Sequence, residues 1–197
     1  MPSKRWESTG HRDSGAVAVE TAMVSMLLIV LLFGIVESSF LFKDWLSVSA
    51  AARAGARMGA SQPRMPNFAQ ASADQVTNAL SDLNPANLQA VWVYKTTGAT
   101  GSPPANCNSS SSCVPFTWDP NAKQLTTLYV GNWLNTSQDA CAGDVTTAPN
   151  LRDSLGVYVK YKHTSLLGFF FNNSIISQST VMWIEPWTTD VHCKPGV

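Results

Sequence analysis

An α+β architecture is what this sequence of 197 residues predicts: a long N-terminal transmembrane helix leading into a small extracytoplasmic domain with an antiparallel sheet. Three observations carry the expectation. Residues 21–36 hold no charge and are apolar on every face, as a membrane span requires. Residues 88–94, 154–163 and 174–185 are rich in β-branched and aromatic side chains, the mark of strands. The four cysteines Cys107, Cys113, Cys141 and Cys193 all follow the apolar run, as expected of a domain folded in an oxidising compartment.

The elements follow in order. Residues 1–15 are a polar leader in which Pro2, Gly10 and Gly15 argue against a stable helix. Lys4, Arg5 and Arg12 outnumber Glu7 and Asp13 there, and that positive excess keeps this end cytoplasmic. Residues 21–36 would extend about 24 Å as a helix, against a bilayer core of roughly 30 Å. Glu20 and Glu37 would then bracket the span near its two interfaces. A cleavable secretory signal needs a shorter apolar core with small residues just behind it. The alanines at 50–52 lie too far on, beyond Lys43 and Asp44. A buried core helix fits poorly with a run that is apolar all round.

The helix is expected to continue through residues 47–60, so that 16–62 form one transmembrane and extended helical region. Ala51, Gly55 and Gly59 recur one turn apart and make a small-residue face that lets another backbone approach closely. Two partners suit that face equally: the protein's own sheet, or a neighbouring subunit. Arg53 and Arg57 share a different, solvated face. Pro63 ends the helix, having no backbone donor to offer. Residues 63–197 form the extracytoplasmic domain.

Within it, Asn67 is a candidate cap for a second helix over residues 68–83, with Ala69, Ala73, Val76, Ala79, Leu80 and Leu83 at helical spacing. Asn84 and Pro85 stop it, and residues 88–94 read as a strand. Residues 97–115 read as loop, dominated by Gly, Pro, Ser and Asn. Residues 124–134 suit a strand or a short helix, and 135–152 are a second loop. Over residues 154–163 the alternation is regular: Val157, Val159 and Tyr161 face one way, Tyr158, Lys160 and Lys162 the other. The run 166–171, Leu-Leu-Gly-Phe-Phe-Phe, is a buried turn or a patch that touches bilayer or another subunit. A last strand over 174–185 is closed by Pro186.

Composition narrows the function. Thirteen basic and thirteen acidic residues leave no net charge, and no basic stripe suggests nucleic acid. Two disulfides suit the even cysteine count. The short 107–113 loop favours local pairing and leaves Cys141 with Cys193. Zinc is the rival, but there is no Cys-x-x-Cys pair. The histidines His11, His163 and His192 form no metal-binding pair, and no nucleophile elbow or phosphate loop occurs. His192 and Cys193 are adjacent on an extended tail and would point apart, which argues against a thiol–imidazole couple. Asp119 and Asp139 read as turn residues. The sequence therefore predicts no catalytic residue, no metal, no cofactor and no enzyme.

The remaining signal is at the start of the span. Arg12-Asp13-Ser14-Gly15 precedes Ala16-Val17-Ala18-Val19-Glu20, and a carboxylate at the mouth of an apolar helix is costly without a reason. An Ala/Gly-rich segment with Arg53 and Arg57 follows the span, and the last strand closes Val181-Met182-Trp183-Ile184-Glu185-Pro186. On these residues the chain resembles the TadE/TadG-like family of tight-adherence pilus proteins, minor pseudopilins made as type IV pilin-like precursors. The resemblance covers residues 12–60. It implies that a prepilin peptidase cuts between Gly15 and Ala16, that the new amine of Ala16 pairs with Glu20 of a neighbouring subunit, and that partners are other pilin subunits and membrane lipid. It implies a single-pass protein of the cell membrane or surface pilus, acting in pilus assembly, adhesion or secretion. The competing expectations are an uncleaved anchored binding domain, a cell-envelope enzyme that would need His163 or His192, and Glu20 as an interfacial carboxylate without a partner.

Overall fold

The computed structural model of the chain describes residues 13–96, 101–127, 133–140, 152–165, 168, 171 and 173–186. The chain divides into two compact units, Met1–Phe40 and Leu41–Val197.

Helix α1 spans Asp13–Ala60. In the first unit its apolar side chains are exposed on all sides, Met23 and Met26 by about 70% each. Among the described residues nothing buries this apolar stretch, and by length and composition the helix can cross a membrane. Two expectations are corrected here. The helix includes Gly15, because one glycine costs a helix only about 1 kcal/mol and the long run behind it propagates cooperatively. Glu37, expected to bracket the far end of the span, is fully buried within the protein.

In the second unit, residues 41–60 of α1 supply one wall of the core. Val48, Ala51, Ala52 and Ala56 are buried, while Arg53 and Arg57 are exposed, as the helical period requires. Helix α2, Phe68–Ala79, packs beside it. It ends four residues short of the expected Leu83. The Leu80 N–H reaches both Val76 O (3.0 Å) and Thr77 O (3.1 Å), a tightening that closes the helix, and a further turn brings Leu83 to the core. Asn67 occupies the N-cap position without a side-chain cap bond. At the next turn Asn84 Oδ1 accepts from the Ala86 N–H at 3.0 Å, with Pro85 opening a short 3-10 turn.

Five antiparallel strands complete the unit: β1 Leu88–Thr96, β2 Cys113–Asp119, β3 Gln124–Thr126, β4 Ser154–Lys162 and β5 Ile175–Trp183. Their order is β3-β2-β1-β4-β5. β4 alternates as its sequence requires, with Val157, Val159 and Tyr161 buried and Tyr158, Lys160 and Lys162 half-buried. β2 is a correction, since residues 113–115 read as loop. Pro115 sits opposite Trp92 of β1, but on its other side β3 pairs only Thr117–Asp119. There β2 is locally an edge, and proline's missing donor costs no ladder bond. The segment 124–134 opens as strand β3; residues 128–132 lie outside the described residues.

The sheet's two faces bury different things. Val91, Val93, Leu155, Val157 and Val159 join α1 and α2 in the main core. On the opposite face Tyr94 packs with Cys107 and Cys113, flanked by Trp92, Tyr158 and Val181. Trp92 and Tyr158 are directly paired across β1 and β4, rings 4.8 Å apart.

Candidate functional site

Gly15, Ala16 and Glu20 all lie in the first turns of α1 and are exposed. Ala16 and Glu20 are four positions apart and therefore share one helix face. Among the described residues Glu20 makes no ion pair, although its carboxylate is set beside apolar Val17, Val19 and Val24. A Cβ built on Gly15 would meet no atom within 4 Å. Among the described residues, packing makes no demand for glycine there.

The small face farther along α1 is different. A Cβ on Gly55 would lie 2.5 Å from Val76 Cγ2 and 3.0 Å from the Ser72 carbonyl oxygen. The Ser72 hydroxyl donates to Gly55 O at 2.8 Å, bridging α2 to α1 at the point of closest approach. A Cβ on Gly59 would meet Leu155 Cδ1 at 2.8 Å, and Ala51 is fully buried. In this structure Ala51, Gly55 and Gly59 face the protein's own core; Gly55 and Gly59 meet α2 and β4.

Cys107 and Cys113 form a disulfide. Cys141 and Cys193 lie outside the described residues, as do His11, His192 and residues 1–12 of the leader. Of the 166–171 run, only Gly168 and Phe171 are described, and both are exposed. Asp119 is a turn residue: its Oδ1 accepts from the N–H groups of Asn121 (2.8 Å) and Ala122 (3.2 Å). Among the described residues, no three His, Cys, Asp or Glu side chains gather as a metal site would need.

One polar pair escaped the sequence reading. His163, at the end of β4, is buried, and its Nδ1 lies 2.7 Å from Asp44 Oδ2 on α1. A histidine ending a strand and an aspartate on a helix give no pattern that links them. The only hint was a charged residue, Asp44, so soon after an apolar span.

The arrangement can anchor, pack and present; it brings no nucleophile and base together among the described residues. Among the described residues, α1 carries near its start a glycine that no packing contact requires and a carboxylate without an ion pair. Residues 15–57 match the model of the TadE-like protein family. The TadE-like match starts at Gly15 and takes in Glu20, Ala51 and Gly55, while Gly59 lies just beyond it. No curated protein and no solved structure matches the chain.

Proposed function

We propose that this protein is a minor pilin or pseudopilin of a tight-adherence pilus, made as a precursor and cut by a prepilin peptidase between Gly15 and Ala16. The observation that carries the proposal is the pairing of Gly15, a glycine with open space around it, with Glu20, an exposed carboxylate five residues later, at the start of the TadE-like segment. A glycine lets the backbone enter a narrow peptidase cleft because it has no side chain to clash. Cutting there creates an α-amino charge on Ala16. Glu20 of an adjacent subunit accepts that charge, offsetting the desolvation of both groups in an apolar setting. The leader stays cytoplasmic, the apolar helix holds the chain in the membrane, and the disulfide-bearing domain lies outside. The role is structural rather than catalytic: the helix assembles with other pilin helices and the domain is what the assembly displays.

The test is the N-terminus and intact mass of the membrane-extracted protein, with and without the peptidase. The expected result is a chain starting at Ala16 only when the peptidase is present, with Gly15→Val left uncut. An uncut chain beside an active peptidase overturns the proposal in favour of a permanently anchored binding domain. Glu20→Ala is expected to be cut normally and to be missing from assembled pili.

A further inference from the structure

The order of contacts along α1 and β4 fixes which residues share one end of the second unit. Gly59 meets Leu155, Gly55 approaches Val157, and Asp44 meets His163. β4 therefore runs antiparallel to α1 and finishes beside the turn where the chain enters this unit from Phe40. The return into β5 is held there as well. His163 N–H donates to Ser174 O (2.8 Å), Ser174 N–H to Phe171 O (3.3 Å), and Ile175 pairs with Lys162.

That end is apolar where it should be polar. On the helix, Phe42, Trp45 and Leu46 are each more than two-fifths exposed, and the Phe42 and Trp45 rings stack at 5.9 Å. On the hairpin, Phe171 and Ile175 are about half exposed. Lys43 is exposed and Lys162 half-buried at the same level. Asp44, the acidic group between them, is already engaged by His163. Exposed aromatics with flanking lysines, and a nearby carboxylate already hydrogen-bonded within the protein, are the composition of a membrane–water interface. The surface is also continuous in sequence with the exposed apolar stretch of α1 that precedes it.

We propose that the β4–β5 hairpin is a second membrane contact: Phe171 and Ile175 dip into the same interfacial layer as Phe42, Trp45 and Leu46, so that the domain sits on the bilayer through two elements. The occupant is lipid, with Lys43 and Lys162 placed for anionic headgroups. The inference rests on the membrane-anchored reading of α1, and the experiment separates the two. The photo-crosslinking residue p-benzoylphenylalanine replaces Leu28, Phe42, Phe171, Ile175 or Ser109, one at a time, in the full chain in cell membranes. Ser109 lies in the disulfide loop at the opposite end of the sheet. After irradiation, adducts are identified by mass. Lipid adducts at Leu28, Phe42, Phe171 and Ile175 with none at Ser109 are the expected result. Lipid at Leu28 and Phe42 but not at Phe171 and Ile175 overturns the hairpin contact and leaves the anchor standing. Protein adducts at Phe171 and Ile175, to a second copy or another subunit, overturn it in favour of an assembly surface. Absence of lipid even at Leu28 overturns the anchor and the hairpin contact together.

Discussion

His163 and Asp44 meet at 2.7 Å across 119 positions of sequence, and the contact ties the end of a strand to the helix that precedes the whole domain. Both side chains are largely removed from water. A hydrogen bond to a charged group is worth about 1.5–3 kcal/mol. His163→Ala and Asp44→Ala are each expected to lose stability in that range. Because each leaves the other's polar atom buried, the double variant should lose less than the sum. Thermal unfolding in detergent measures all three; strict additivity would mean that the two residues act independently.

Gly55 and Gly59 are expected to respond differently to one methyl group. Gly55→Ala places a carbon against Val76 and against the backbone oxygen of Ser72, which cannot swing aside. Overpacking costs about 1–3 kcal/mol, against a helix-propensity gain of about 1 kcal/mol, so a net loss is expected. At Gly59 the close atoms are the far ends of the Leu155 side chain and the Ser72 Cβ, and Leu155 can change rotamer. Gly59→Ala should be the milder change. Comparison of their melting temperatures decides it, and a reversed order would contradict the packing described for this face.

Removing the Cys107–Cys113 bond frees a loop closed at a sequence separation of 6. For so short a ring the chain-entropy model gives about 2 kcal/mol. Both cysteines also pack with Tyr94 in a small cluster of their own. Cys107→Ser with Cys113→Ser should therefore lower stability by about that amount while leaving the main core folded. Circular dichroism and near-ultraviolet tyrosine and tryptophan signals would show which cluster is disturbed.

Tyr94 sets an alkaline limit. Burial pushes its phenol above the ordinary value of 10.0, partly opposed by a side-chain hydrogen bond from Ser179, and Tyr161 is shifted the same way, again mainly by burial. A raised folded value means that the folded state holds the proton more tightly. The contribution is complete below the unfolded value near 10 and is lost as pH climbs toward the folded one. Melting temperature followed from about pH 8 to about pH 11 should fall more steeply in the natural protein than in Tyr94→Phe. Parallel curves would place the alkaline sensitivity elsewhere.

Much of this architecture is readable from periodicity. The apolar run announces α1, and the alternation of Val157, Val159 and Tyr161 gives both the existence and the facing of β4. The features that resist reading depend on partners distant in sequence. Pro115 disguised β2, because whether proline is tolerated depends on how short β3 is, which residues 113–119 do not encode. Leu80 and Leu83 keep the helical spacing of α2 after the helix has ended, since a tight turn can aim them at the same core. Gly15 and Glu20 stood out as departures from an otherwise uniform helix. Asp44 and His163 did not, being ordinary residues until the fold joins them.

The antiparallel run of α1 against β4 bears on how the chain can fold as it is made. Residues 41–60 are synthesised early, yet the strand that covers their small-residue face comes about a hundred positions later. Until then α2 covers only part of that face, through Ser72 and Val76 against Gly55. Non-local closure of this kind slows folding, and uncovered apolar surface invites misassembly meanwhile. A chain truncated before β4 should therefore keep its N-terminal helix and lose the domain, so the last strands made decide whether the first helix is ever fully packed.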